Sequence, residues 1–346
     1  MTGDAVGHPY GHRRPIHRPI ISVAALAVIA ACGSSKSASP AAAPTTVSHA
    51  STTTTIDPDG PFAVGRRDVT FVDTTRSTSA NGSFAAKPSR TLDTIIEYPA
   101  VGAPAPNVET KGAAPANGRF PVALFVHGFG AHADNLYLHY WAAAGFIAVS
   151  IKFPLTNTDT PGGPKQADLL NEPGDVSFVL SRIAHLPARD ADLQPIIDAT
   201  RVGLMGQSLG ATVVFDLGFN KRYHDPRIKA VVPMSGGCVP CGPGIGEGDG
   251  VYFTGPSLPV MFIHGTADPA APIEHSAQEY AQAPAPKFFV RMIGALHVQF
   301  GPPWDQVAAH ATIDFFDHYL KNESDGLTRL RTDASVAGKA ELQAAT

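Results

Sequence analysis

The fifteen residues Arg201-Val-Gly-Leu-Met-Gly-Gln-Ser-Leu-Gly-Ala-Thr-Val-Val-Phe215 constrain the fold more than any other stretch of the chain. An apolar, strand-like run ends at Met205, Gly206-Gln207-Ser208-Leu209-Gly210 follows, and a helix-compatible run begins directly after it. A tight turn from strand to helix is the setting that lifts a serine hydroxyl clear of a sheet edge. Such a turn forces the serine into a strained backbone conformation and crowds its neighbours, so glycine is required on both sides. Ser208 is therefore a candidate nucleophile. The bare Gly-x-Ser-x-Gly pattern also arises in ordinary Gly/Ser loops, and the flanking strand and helix give it its weight here.

The remaining chain supplies alternating strands and helices. Asp68 to Thr74 and Thr91 to Tyr98 alternate as β-strands with Asn81-Gly82 as a turn signal between them, and a Pro/Gly/Ala-rich surface loop from about Ala100 to Gly118 follows. Phe120 to Val126 is a continuous apolar run of the kind buried on both faces of a sheet. Asp134-Asn135 caps a helix to about Ala144, Gly145 ends it, and Phe146 to Ile151 is the next buried strand. Asn171 to Ile183 reads as a packing helix whose first-turn acid, Asp175, suits the helix dipole. Further strands are expected at Ile228–Met234, Leu258–Ile263 and Lys287–Met292, with a last helix from Trp304 to Leu320. The β, α, β alternation predicts an α/β fold with a mostly parallel central sheet flanked by helices. The Gly-rich stretch between Met234 and Leu258 is too short and too poor in helix formers for a large lid, so an open site is expected; Pro154 to Leu170 is the segment where a mobile lid could otherwise lie.

Serine alone is a weak nucleophile and needs a histidine to accept its proton and a buried carboxylate to hold that imidazole. Two further strand ends carry such groups: His264-Gly-Thr-Ala-Asp268 and Gly294-Ala-Leu-His297. Ser208, Asp268 and His297 therefore stand in chain order at the carboxyl ends of successive strands, where an open α/β sheet binds ligands. Asp268 could alternatively cap the helix that begins near Pro272, and Asp249 in the Gly-rich loop is the spare acid. His127-Gly128-Phe129-Gly130 follows the buried Phe120–Val126 strand. Its glycines allow backbone N–H groups to face a carbonyl oxygen, and the expected donors are the N–H groups of Phe129 and Leu209. His127 reads as a loop-shaping residue rather than a base.

The N-terminus reads as an address followed by a tether. Arg13, Arg14 and Arg18 precede the apolar run Ile20 to Ala31, which has the length of a signal-peptide core and is short for a membrane span. Ile29-Ala30-Ala31-Cys32-Gly33-Ser34 resembles a bacterial lipobox, with Cys32 as the lipidated residue; an ordinary secretory signal is the alternative, and the export route stays open. From Gly33 to about Asp59 the chain is Ser, Thr, Ala and Pro, too poor in large apolar residues to offset the entropy of ordering. The expected organisation is a leader over 1–31, a tether over 32–60, a folded domain over 61–325 and a peripheral tail over 326–346. The expected location is the extracytoplasmic face of a cell membrane, or a secreted protein if Cys32 is not lipidated.

Charged residues make up only 16% of the 346, with net charge −4, so there is no nucleic-acid footprint. Of the three cysteines, Cys238 and Cys241 form a Cys-x-x-Cys in the Gly-rich loop. They either pair as a tight local disulfide or remain thiols, and the exported setting favours the disulfide. No further zinc ligands stand at suitable spacing, so no metal is expected.

From about Thr91 to Leu320 the chain resembles α/β-hydrolases of the platelet-activating-factor acetylhydrolase and dienelactone-hydrolase-like group, which is also similar to chlorophyllases and bacterial polyester hydrolases. The residues carrying the resemblance are His127-Gly-Phe-Gly130, Glu172-Pro-Gly-Asp-Val-Ser-Phe-Val179, Gly206-Gln-Ser-Leu-Gly210, His264-Gly-Thr-Ala-Asp268 and Ala295-Leu-His297. Ala211 departs from the glycine common at that position, and Ser208 stands where true dienelactone hydrolases carry cysteine. The resemblance implies hydrolysis of carboxylic esters; the triad needs no metal or organic cofactor, and a monomer acting on a small-molecule or lipid ester is expected. An acyltransferase acting on envelope lipids or glycans would use the same triad, and a binding lipoprotein that merely keeps the fold is the non-catalytic alternative.

Overall fold

The computed structural model describes residues 60–236, 253–297 and 301–346. A single ten-stranded sheet runs through it, in the order β10-β9-β8-β7-β6-β4-β5-β2-β1-β3. β1 (Ala63–Asp73) and β2 (Arg90–Ala100) pair antiparallel along their whole length, from Ala63 opposite Ala100 to Asp73 opposite Arg90. β3 (Glu109–Lys111) is a short parallel addition to β1, inside the segment that reads as surface loop. The parallel centre follows: β4 (Phe120–Val126), α1 (Leu136–Ala143), β5 (Ile147–Lys152), α2 (Glu172–Ile183), β6 (Ile197–Gln207), α3 (Leu209–Phe219), β7 (Ile228–Met234), β8 (Val260–Gly265), α4 (Ile273–Gln282) and β9 (Lys287–Met292). β4 through β9 pair with one another in parallel, whereas β2 joins β5 antiparallel.

The unbroken apolar runs of the central strands have a direct cause: both faces of the sheet are covered. Val122, Leu124 and Val126 of β4 point into one core with Val176 and Val179 of α2, Val213 and Leu217 of α3, and Tyr280 of α4. Ala123 and Phe125, on the other face, pack with Leu138 and Trp141 of α1 and with Phe315 and Phe316 of α5 (Trp304–Phe316). The β5–α2–β6 crossover carries the chain past β4, so the sheet grows in opposite directions on either side of the β4–β6 pair. Loops after those two strands diverge, opening a crevice at their carboxyl ends.

Local signals explain the boundaries. The Asn135 side chain accepts the Tyr137 N–H at the start of α1, and Gly145, at φ 92°, closes it in a conformation that costs glycine little. The expected Trp304–Leu320 helix is α-helical only to Phe316; Asp317–Lys321 is a wider turn that ends at Asn322 with φ 62°. The segment 326–346, read as a peripheral tail, instead forms α6 (Gly326–Asp333) and β10 (Ala340–Ala345). β10 pairs antiparallel with β9 from Ala340 opposite Met292 to Ala345 opposite Lys287, and thereby occupies one edge of the sheet. Besides this backbone pairing, Ala340 is buried and Leu342 packs partly buried against the core.

Asp175 also differs from its reading as a helix-dipole acid. It is fully buried, with its two carboxylate oxygens 2.8 and 2.6 Å from Arg90 Nε and Nη2 and a further contact of 2.8 Å from Arg76. Arg90, also fully buried, holds Asp168 with its other edge at 3.0 and 2.8 Å. The carboxylates are there to neutralise a guanidinium that ties β2 to α2. Among the described residues, no helix is long and apolar enough to cross a membrane.

Candidate active site

Ser208 occupies the turn between β6 and α3 with φ 55° and ψ −122°, a region that side-chain-bearing residues rarely adopt. Its N–H donates to the Met234 carbonyl at 2.9 Å, which fixes the turn to the end of β7. The flanking glycines are steric necessities. A Cβ on Gly206 would lie 2.2 Å from the Gly210 carbonyl oxygen, and one on Gly210 would lie 2.2 Å from that of Val126. Gly236, after β7, is as tight: its Cβ would lie 2.2 Å from the Ser208 carbonyl oxygen.

His297, in the loop beyond β9, stands with Nε2 2.8 Å from Ser208 Oγ and Nδ1 2.7 Å from Asp268 Oδ2. Since a carboxylate only accepts, Nδ1 carries the hydrogen and Nε2 is left to accept from the serine hydroxyl. The Asp268 side chain is fully buried beyond β8, while His297 keeps about a fifth of its side-chain surface exposed. Burial works against ionisation of Asp268. The Ala271 N–H, His297 and the Ala270 N–H outweigh it and hold the carboxyl below the usual range. Oδ1 accepts both backbone N–H groups, at 2.8 and 2.9 Å, so Asp268 shapes the turn before α4 as well as facing His297. Asp268 does not cap α4 itself, whose N-cap is Pro272 with no side-chain hydrogen bond.

The 127–130 loop lies against the Gly206–Gly210 turn, the elbow between β6 and α3. A Cβ on Gly128 would be 3.1 Å from Ser208 Cβ and 3.2 Å from the Gln207 carbonyl oxygen. Gln207 Nε2 reaches the His297 carbonyl at 3.4 Å, joining the elbow to the histidine loop. Leu209 opens α3, so its N–H belongs to the helix's first turn and has no intrahelical acceptor. No hydrogen bond among the described residues uses the Phe129 N–H. Gly130 N–H, next along, donates to the Thr156 carbonyl at 2.7 Å, and Thr158 N–H donates to Ala131 at 3.1 Å. The start of the 154–170 segment is therefore tied to this loop. His127 Nδ1–H donates to the Gly128 carbonyl of its own loop at 2.8 Å, and burial pushes the ring down to about 4. It is a neutral, loop-shaping ring.

Sequence reasoning missed two supports. Thr156 Oγ1 donates at 2.5 Å to Glu172, whose carboxyl is buried and driven well above the ordinary range by that burial. Glu172 thereby braces the strand-end loop that holds Gly130. His264, four residues before Asp268, is fully buried with Nε2 3.2 Å from Asp268 Oδ2. Its place in the His-Gly-Thr-Ala-Asp run was the available signal. A cavity of about 260 Å³ against His132, Lys152 and Asp159 contains none of the triad.

Compared with models of known protein families and with curated proteins, the chain matches none.

Among the described residues, no group of three or more His, Cys, Asp or Glu side chains could hold a metal ion. Cys32 with the leader and tether falls in 1–59, and Cys238, Cys241 and Asp249 fall in 237–252; all lie outside the described residues.

Proposed function

We propose that the chain is a serine esterase of the α/β-hydrolase fold, cleaving carboxylic esters through Ser208, His297 and Asp268. The observation that carries the reading is His297, hydrogen-bonded to Ser208 Oγ at 2.8 Å and to a buried Asp268 at 2.7 Å, at the sheet's switch point. Ser208 Oγ attacks the ester carbonyl carbon as His297 Nε2 takes its proton, and Asp268 stabilises the imidazolium that forms. The oxyanion is held by the Phe129 and Leu209 N–H groups, which need no reorganisation at that moment. The proton passes from His297 to the departing alkoxide, leaving an acyl-serine. Water, deprotonated by the same Nε2, then releases the acid and restores the serine hydroxyl.

Phe129 and Leu296 support an apolar substrate. Their side chains are 43% and 59% exposed, although each directly adjoins a proposed catalytic group. Large apolar side chains left open at a reaction centre suit an acyl chain. The lipobox-like Ile29-Ala30-Ala31-Cys32 supports an extracytoplasmic, lipid-anchored setting.

The test is hydrolysis of p-nitrophenyl esters of graded acyl length by the parent and by Ser208→Ala, together with fluorophosphonate labelling. Turnover is expected to fall roughly 10⁴- to 10⁶-fold in the variant, the scale of triad loss. A parent that neither labels at Ser208 nor hydrolyses any ester refutes the reading.

A further inference from the structure

We propose that His264 is a positioning residue for the triad acid, its Nε2–H holding in place the same Asp268 oxygen that receives His297. The proposal rests on the esterase reading. Both groups near Nε2, the Ala271 carbonyl at 2.8 Å and Asp268 Oδ2 at 3.2 Å, can only accept, so this nitrogen carries the hydrogen. Nδ1 lies 2.8 Å from Ser276 Oγ on α4. Burial lowers the ring's proton affinity, which makes it a neutral donor with Nδ1 accepting from the Ser276 hydroxyl.

The consequence is a tightly connected acid turn. Asp268 Oδ1 accepts from Ala270 and Ala271, the Ala271 carbonyl accepts from His264 Nε2–H, and that same nitrogen stands 3.2 Å from Asp268 Oδ2. A carboxylate held by His297 and the two N–H groups alone could still tilt about its Oδ1 side, carrying Oδ2 away from His297. The polar edge of the His264 ring against Oδ2 resists that tilt. The turn is anchored on two sides: His264 sits on the last residues of β8, and its Nδ1 accepts from Ser276 of α4. His264 thus joins the acid turn to α4.

The expected effect is on the rate of serine attack at each competent site rather than on substrate binding. The full-length protein and its variants are titrated with a fluorophosphonate, whose end point counts competent sites and whose rate reports attack by Ser208. His264→Phe keeps an aromatic ring and removes both nitrogens. It should label about 10- to 100-fold more slowly per site, the scale of one lost buried hydrogen bond, with kcat on p-nitrophenyl esters reduced alike and KM nearly unchanged. His264→Gln, whose amide nitrogen reaches toward the Nε2 position, should recover most of the rate. Ser276→Ala, which frees the imidazole's other end, should fall between. Folded His264→Phe and Ser276→Ala variants that label at the parental rate per site overturn the proposal, as does a His264→Gln variant no faster than His264→Phe. If His264→Phe does not fold, a parental rate in Ser276→Ala decides against it. Failure of the parent itself to label refutes the esterase reading instead, and this proposal with it.

Discussion

Ser208 holds a strained φ of 55° in a turn whose flanking glycines, Gly206 and Gly210, each face a backbone oxygen too closely for a Cβ. Gly210 is the sharpest case, since its hydrogen faces the Val126 carbonyl where a methyl would stand 2.2 Å away. Backbone cannot rotate aside as a side chain can, so Gly210→Ala must push α3 off β4. The expected cost is about 3 kcal/mol or more, at or beyond the upper range of overpacking. Urea denaturation measures it, and an alanine variant with the parental midpoint would show that the turn has room. Steric compulsion of this kind is what makes the elbow legible: the residues that must be glycine announce the geometry. Ser208, Asp268 and His297 were legible for a related reason, each following an apolar run by a few residues. The role of His264 was only hinted at by its place four residues before Asp268, since its Ser276 partner arrives from α4, and Gly236 was not legible because it meets the Ser208 carbonyl only in the fold.

At the level of elements, strands buried on both faces are readable from composition, while ion pairs between elements are not. Asp175 has the sequence position of a dipole-compensating acid, yet it and Asp168 enclose Arg90 in the interior. Arg90 belongs to β2, and its partners lie 78 and 85 residues further on. Removing it strips Asp168 of its guanidinium and leaves Asp175 with Arg76 alone, so Arg90→Met should destabilise by about 3–5 kcal/mol. Replacing Asp168 and Asp175 by Leu in the same chain should recover much of that loss, because an apolar triad avoids the desolvation of all three charges. Chemical denaturation of the single and triple variants provides the comparison. A single variant as stable as the parent would mean that the cluster adds nothing to the fold.

For the whole molecule, the parallel centre was predictable and the edges were not. β10, Ala-Glu-Leu-Gln-Ala-Ala, alternates apolar and polar residues but has no β-branched or aromatic residue to mark it as a strand, and β9's open edge supplies its pairing. The opposite wing holds a group that couples overall stability to pH. Glu97 on β2 is 3% exposed, and burial raises its carboxyl from 4.5 to about 8 despite the attraction of Arg66 3.3 Å away. The folded chain then keeps this proton where the unfolded chain has lost it. Between pH 4.5 and 8 the unfolded state binds fewer protons at this residue, so stability falls as pH rises through that window and levels off above it. His127 acts oppositely lower down: held near 4 against an ordinary 6.5, it makes stability rise with pH between those values. The two contributions overlap between pH 4.5 and 6.5, and the parent's curve alone cannot separate them. Glu97→Gln removes one and leaves the other, so the difference in unfolding free energy between variant and parent isolates Glu97. That difference should be small near pH 4.5, grow in favour of glutamine up to pH 8, and stay constant above. A difference that does not vary with pH would mean that Glu97 is ionised in the fold, held by Arg66 after all.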